Sequence, residues 1–145
     1  MTGKLLTSVI VLGLLAGCQQ GPTEKQMGEQ NREPLAKNDV IEKMTDITGY
    51  AINKDGTNIV IYRASDGTVR GKASWTGGSE KDTGQWRVRD DGAMCTEWNK
   101  WLNGQEACYR IYDVGDSLIF TNIKGPGENY KVPKADIKDG NVESL

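Results

Sequence analysis

The chain has 145 residues, with 18 lysines and arginines against 20 aspartates and glutamates, no histidine and three cysteines. This length is typical of one domain, and the near-neutral charge argues against the basic surface that nucleic-acid binding requires. Because histidine is the commonest general base and metal ligand, its absence favours a protein that is not an enzyme and holds no metal or cofactor.

The first 17 residues have the pattern of an export signal. Lys4 supplies a positive charge, and residues 5–15 form an apolar run too short to span a bilayer. The run ends at Leu15-Ala16-Gly17-Cys18, which resembles the lipobox of bacterial lipoproteins. The resemblance implies that residues 1–17 are removed, that Cys18 is acylated, and that the protein is anchored through this lipid to the periplasmic face of the outer membrane. The alternative is an ordinary signal peptide in which Cys18 is incidental.

A polar segment separates this cysteine from the folded part of the chain. Residues 18–37 are rich in Gln, Glu, Lys, Gly and Pro, which predicts a flexible tether, because such a segment buries too little apolar surface to fold. Residues 38–145 are predicted to form the domain. It begins with a short helix near residues 38–45, for which Asn38 or Asp39 supplies the cap.

The rest of the chain predicts an all-β fold, an antiparallel meander of six to eight short strands that closes into a small barrel or a sandwich. Asp-Gly and Asn-Gly pairs, which favour tight hairpin turns, separate segments of alternating apolar and polar residues. A barrel is favoured because closure removes exposed strand edges. Trp75 and Trp86 are expected in the core, and the tail after Lys134 is expected to fray. The predicted strands cover residues 57–63, 67–75, 84–90, 93–97, 107–113, 117–123 and 130–132.

Two cysteines lie on neighbouring predicted strands, Cys95 and Cys108. An exported chain passes through an oxidising compartment, and Cys18 is already assigned to the lipid. The pair therefore predicts a disulfide that closes a hairpin. The alternative is two free thiols, one of them reactive.

The loop between these cysteines is a candidate contact for a ligand or partner. Trp98 and Trp101 flank Lys100 close to a predicted turn, and two exposed indoles would form a platform for a sugar ring or a side chain. The favoured alternative is that both rings close one end of the barrel, because aromatic residues of small domains are usually buried.

A second candidate contact is a basic patch on two predicted neighbouring strands. Arg70 and Lys72 project from the polar face of one strand, and Arg87 and Arg89 from the other. Together they would face an anionic envelope surface or a glycan. The favoured alternative is a solvated surface on which acidic neighbours compensate these charges.

Several short motifs occur together in the central part of the chain. They are a short helix from about Ile41 leading to Thr48-Gly49, then Tyr62, Asp66-Gly67-Thr68, Asp82-Thr83-Gly84, Trp86, Cys95 with Trp98, and Cys108-Tyr109, ending at Tyr112. This combination resembles a group of small secreted proteobacterial proteins for which no activity is known.

The combined features predict a lipid-anchored, non-catalytic domain that binds a ligand, an envelope protein or a glycan. One alternative is a periplasmic inhibitor of a host enzyme such as lysozyme, since an acidic domain suits a basic enzyme. The other is a hydrolase that uses two carboxylates, which needs no histidine.

Overall fold

The structure, a computed structural model, describes residues 20–145. Residues 1–17, the lipobox and Cys18 lie outside the described residues, so the export signal and the acyl anchor stay predictions. Within residues 20–145, the helices are all too short or too polar to cross a membrane.

Two short helices precede nine antiparallel strands that form one barrel-like, nearly closed sheet. Each strand from β1 to β7 pairs with the next along the chain, and β9 returns to the free edge of β1. β8 lies close to β1, so the sheet almost closes on itself. This confirms the predicted all-β meander and the barrel form. The helices are α1 (Glu24–Glu29) and α2 (Lys37–Met44), and the strands are β1 (Ile47–Ile52), β2 (Asn58–Arg63), β3 (Thr68–Trp75), β4 (Gly78–Val88), β5 (Met94–Trp98), β6 (Ala107–Asp113), β7 (Ser117–Lys124), β8 (Tyr130–Pro133) and β9 (Ile137–Asp139).

One end of the barrel, called here the closed end, is covered by α2. The backbone N–H of Leu35, just before α2, donates to the carbonyl of Ile111 at 2.7 Å. Val40 and Met44 of α2 are buried in the main core. The helix begins at Lys37, and Ala36 at its start makes no side-chain capping bond, so the predicted cap was wrong. The core comprises Val40, Met44, Val69, Trp86, Met94, Trp98, Ile111 and Leu118.

The opposite end, called here the open end, is formed by four connections, those of β1–β2, β3–β4, β5–β6 and β7–β8. Trp75 lies at this end and is 47% exposed, so the prediction that it belongs to the core was wrong. Its strand face was assigned correctly, but the last residue of β3 extends beyond the packed interior. Trp86 is buried as predicted, and its indole N–H donates to the carbonyl of Ala64.

The segment before the barrel is structured, which differs from the flexible tether expected over residues 18–37. Thr23 starts α1 with a capping box, and Met27 is only 1% exposed because it packs against Tyr112 and Ile119 on the outside of the barrel. The backbone N–H of Gly21 donates to Asn129 at 2.9 Å. A buried methionine, a capping box and backbone hydrogen bonds to the barrel therefore hold residues 20–37, whose composition alone favours disorder.

The C-terminal tail is also held against the barrel. β9 pairs with β1, and the hydroxyl of the buried Thr48 donates to the carbonyl of Gly140 at 2.6 Å. Arg70 donates to the carbonyl of Leu145 at 2.9 Å. The prediction that the tail frays was wrong, because backbone pairing fixes it despite its polar composition.

The predicted disulfide is present and closes the β5–β6 hairpin. Cys95 and Cys108 are directly opposite each other in the sheet, with Cα atoms 4.0 Å apart, and both are buried. The bond fixes the two strands that carry the loop at the open end.

Candidate functional site

The barrel encloses a cavity of about 750 Å³. Inward-facing strand residues form its wall, and the connections of the open end form its rim, where Lys54, Trp75 and Leu102 are exposed. Sites for small molecules usually have volumes of about 300–1,000 Å³. The interior of the barrel is therefore the candidate site.

Small residues on β1 and β3 create this space. Gly49 and Ala51 occupy inward positions of β1, and Gly71 and Ala73 those of β3. A Cβ atom added at Gly49 would meet no atom within 4 Å. The interior beside Gly49 is therefore unfilled, whereas the space next to Gly71 is occupied by the indoles of Trp98 and Trp101.

Two indoles, those of Trp98 and Trp101, form part of the cavity wall. Their ring centroids are 4.6 Å apart and their planes are tilted by 47°. A Cβ atom at Gly71 would lie 2.4 Å from the ring of Trp101 and 2.8 Å from that of Trp98, so only glycine lets both rings reach across the interior. Trp98 is 6% exposed and Trp101 is half-buried. Both predicted contact residues thus face inward, and their contact with a ligand stays a prediction.

One buried carboxylate holds the loop that carries Trp101. The Oδ2 atom of Asp82 accepts hydrogen bonds from the backbone N–H groups of Lys100 and Trp101, each at 2.8 Å, and its Oδ1 accepts from Thr83 at 2.9 Å. Burial acts to raise the pKa of Asp82, but the three backbone donors outweigh it and hold the pKa below its ordinary value. Asp82 is therefore ionised at neutral pH and fixes the loop, leaving Lys100 exposed at the rim.

A single cation lines the cavity near the closed end. Arg63 is the last residue of β2, where it pairs with Ile47 just after α2, and it is 9% exposed. Its Nε atom is buried and has no hydrogen-bond partner among residues 20–145. Burial lowers the pKa of Arg63 to about 10, so the guanidinium stays charged at neutral pH. We call the position of this group the floor of the cavity.

At the floor, no described carboxylate balances this charge, because the carboxylates that line the cavity, Glu80 and Glu128, lie at the rim. Tyr109 and Tyr130 also line the cavity, and burial raises the pKa of both phenols, so both are neutral at pH 7. The inward carboxylate of Asp82 is already occupied by backbone donors. Within the described part of the chain, the charge of Arg63 is thus uncompensated, which is costly in a buried site.

The predicted basic patch lies on the outer surface of the barrel, away from the cavity. Arg87 forms an ion pair with Glu106 at 3.0 Å, and Arg89 forms one with Asp91 at 2.7 Å. Arg70 is engaged with the C-terminal residue, whereas Lys72 lies opposite another lysine, Lys81, on β4. The structure therefore places these residues on β3, on β4 and just after β4, but does not join them into one site. An anionic partner for them stays a prediction.

One group of described side chains brings potential metal ligands together: the sulfur atoms of Cys95 and Cys108 with the carboxylate of Glu106. The two sulfurs are bonded to each other. Hydrogen bonds from Lys124 and Arg87 hold the pKa of Glu106 below its ordinary value. Each member of this group thus already has a structural role.

Arg63, Gly49 and Asp82 were not predicted from the sequence to be residues of the site. A signal for Arg63 was available: it shares a strand face with Ile59 and Ile61, so an inward charge follows from the alternation of β2. The signal for Gly49 was weaker, because β1 itself was not recognised.

Comparisons of the chain with models of protein families, with curated proteins and with solved structures gave no match.

Proposed function

We propose that this protein is a non-catalytic binding protein that holds a small apolar molecule inside its barrel. The observation that carries the proposal is the cavity of about 750 Å³, open at one end and bounded by aliphatic and aromatic side chains. A mostly apolar concave site with few polar groups is the usual form of a small-molecule site.

The burial of the wall residues supports this proposal. Ile59, Ile61 and Phe120 point into the barrel, yet they are only half-buried. Val69 and Ile111, nearer to α2, are fully buried. An apolar ligand would remove the remaining surface of the wall residues from water, which contributes roughly 25 cal/mol for each Å².

The proposed lipid anchor is compatible with this site. Gln20 pairs with Tyr130, which lines the cavity at the open end. Two residues span about 7 Å at most, so an acyl group on Cys18 would be attached close to the open end. In this proposal the protein is held at the periplasmic face of the outer membrane with its cavity near the lipid.

The test uses a neutral apolar dye, N-phenylnaphthylamine, titrated into the purified protein in detergent-free buffer. Gly49→Leu places a side chain into the open space of the cavity, and we expect it to abolish dye binding. Gly28→Leu is the matched control, since a Cβ at Gly28 also meets no atom within 4 Å but lies on the exposed surface of α1.

We expect the wild type and Gly28→Leu to bind the dye with equal affinity. Failure of the wild type to bind the dye would contradict the proposed function. Equal binding by Gly49→Leu would also contradict it, because the dye would then lie outside the cavity.

A further inference from the structure

The floor of the cavity indicates what kind of apolar molecule the barrel holds. Arg63 is charged, 9% exposed, and has a buried Nε atom without a partner in residues 20–145. A buried guanidinium normally has a carboxylate or phosphate partner, because removing it from water is costly otherwise. Building on the proposed function, we infer that the ligand is an apolar monocarboxylate whose carboxylate binds Arg63 at the floor of the cavity.

The charge of the site selects a monoanion. Arg63 is the cation of the described cavity floor, and the phenols of Tyr109 and Tyr130 are neutral. The carboxylates that line the cavity, Glu80 and Glu128, lie at the rim. One carboxylate neutralises one guanidinium and matches its planar fork with two parallel hydrogen bonds. A phosphate dianion would leave a net negative charge at a buried position, so we expect it to bind less well.

The depth of the site favours a ligand with an elongated apolar part. From Arg63 to Ile59, four residues of β2 extend about 13 Å towards the open end. Along this path the wall is formed by apolar residues such as Ile61, Phe120 and Trp98. A carboxylate at the floor therefore places an apolar chain along the wall and its far end beside Trp101.

The rim does not offer a second site for an anion. Lys54 and Lys100 lie there together with the carboxylates of Glu80 and Glu128. The backbone N–H of Lys54 donates to Glu128 at 3.0 Å. Because both signs of charge occur at the rim, an anionic head is attracted more strongly to the floor.

The test compares a fluorescent carboxylic acid with its uncharged ester. Dansylaminoundecanoic acid and its methyl ester are titrated into wild type and Arg63→Met, and energy transfer from tryptophan to the dansyl group reports binding. We expect the wild type to bind the acid about 10–100-fold more tightly than the ester, since hydrogen bonds to charged groups have this effect. Arg63→Met should bind both alike.

Equal affinity of the wild type for acid and ester would overturn the inference, as would a preference for the acid that survives in Arg63→Met. In either case, binding of N-phenylnaphthylamine that Gly49→Leu abolishes would still support the proposed function. If neither the dye nor the dansyl probes bind, the inference and the proposed function both fail.

A second measurement needs the wild type only, so it remains decisive if Arg63→Met does not fold. Dodecanoate, dodecanol and dodecyl phosphate share one alkyl chain and compete with the bound dansyl acid. We expect dodecanoate to displace it at the lowest concentration. Displacement by dodecanol at the same concentration would overturn the role of charge, and stronger displacement by dodecyl phosphate would overturn the choice of a monocarboxylate.

Discussion

Replacing Arg63 by methionine should stabilise the unliganded protein. Methionine keeps an unbranched apolar side chain but removes the buried charge that has no partner among the described residues. Most substitutions of buried residues destabilise a protein. A gain in stability is therefore a distinctive expectation for a residue that serves a ligand.

The size of the effect follows from the pKa of Arg63. Burial lowers this pKa from the ordinary value of a guanidinium to about 10. At about 1.36 kcal/mol per unit, burying the charged form costs roughly 3 kcal/mol. Arg63 is protonated in both states at pH 7, so the whole cost applies there and is relieved only as the pH rises above about 10. Imperfect packing of methionine reduces the gain, and we expect about 1–3 kcal/mol.

Urea unfolding at pH 7 with the disulfide intact measures this change. Arg32→Met is the matched control, because it removes the same charge from an exposed position between α1 and α2. We expect the control to change the free energy of unfolding by less than about 0.5 kcal/mol. The midpoint for Arg63→Met should increase while the slope stays constant.

A loss of more than about 1 kcal/mol in Arg63→Met, with no change in Arg32→Met, would refute this reasoning. It would mean that the guanidinium stabilises the fold through interactions within the protein, and the case for an anionic ligand would lose its physical basis.

Three further predictions concern the loop, the disulfide and the N-terminal segment. Asp82→Asn should release the loop, shift the tryptophan emission to the red and lower the free energy of unfolding by about 1–3 kcal/mol. Because the pKa of Asp82 is lowered, the wild type should show the same red shift only below the ordinary pKa of 3.8. Equal emission of Asp82→Asn and wild type at pH 7 would contradict this. Replacing Cys95 and Cys108 together by serine should lower the free energy of unfolding by about 2–3 kcal/mol in urea, and a loss below about 1 kcal/mol would contradict it. Met27→Ala should raise hydrogen exchange in α1 without changing the barrel strands, and unchanged exchange there would show that Met27 is not the anchor.

Strand chemistry made most of the barrel predictable. The segment that became β6 was predicted with the observed bounds, because β-branched and aromatic residues fill it between clear breaks. β1 was missed because glycine and alanine occupy inward positions of a strand that borders a cavity. β9 was missed because three largely polar residues form a strand only when a free edge is present to pair with.

The cavity itself could not be predicted from a local pattern. Its room depends on the open space beside Gly49 of β1 and on Gly71 of β3, a strand not adjacent to β1, which lets two indoles pack close to its backbone. The burial of Met27 could not be predicted from a local pattern either. It lies in a polar segment of the sequence, and its buried partners Tyr112 and Ile119 belong to β6 and β7. Such contacts exist only once the sheet has closed.

The main core and the cavity of this barrel adjoin each other. Met44, Met94 and Trp98 belong to the core and also line the cavity, whereas Ile59 towards the rim is only half-buried. Domains are stable by only about 5–15 kcal/mol, so a cost of roughly 3 kcal/mol at Arg63 is a large share. An apolar residue at this position would complete the core at no such cost. A charge without a described partner, at the floor of an apolar cavity, therefore has its simplest explanation in a ligand that supplies the missing anion.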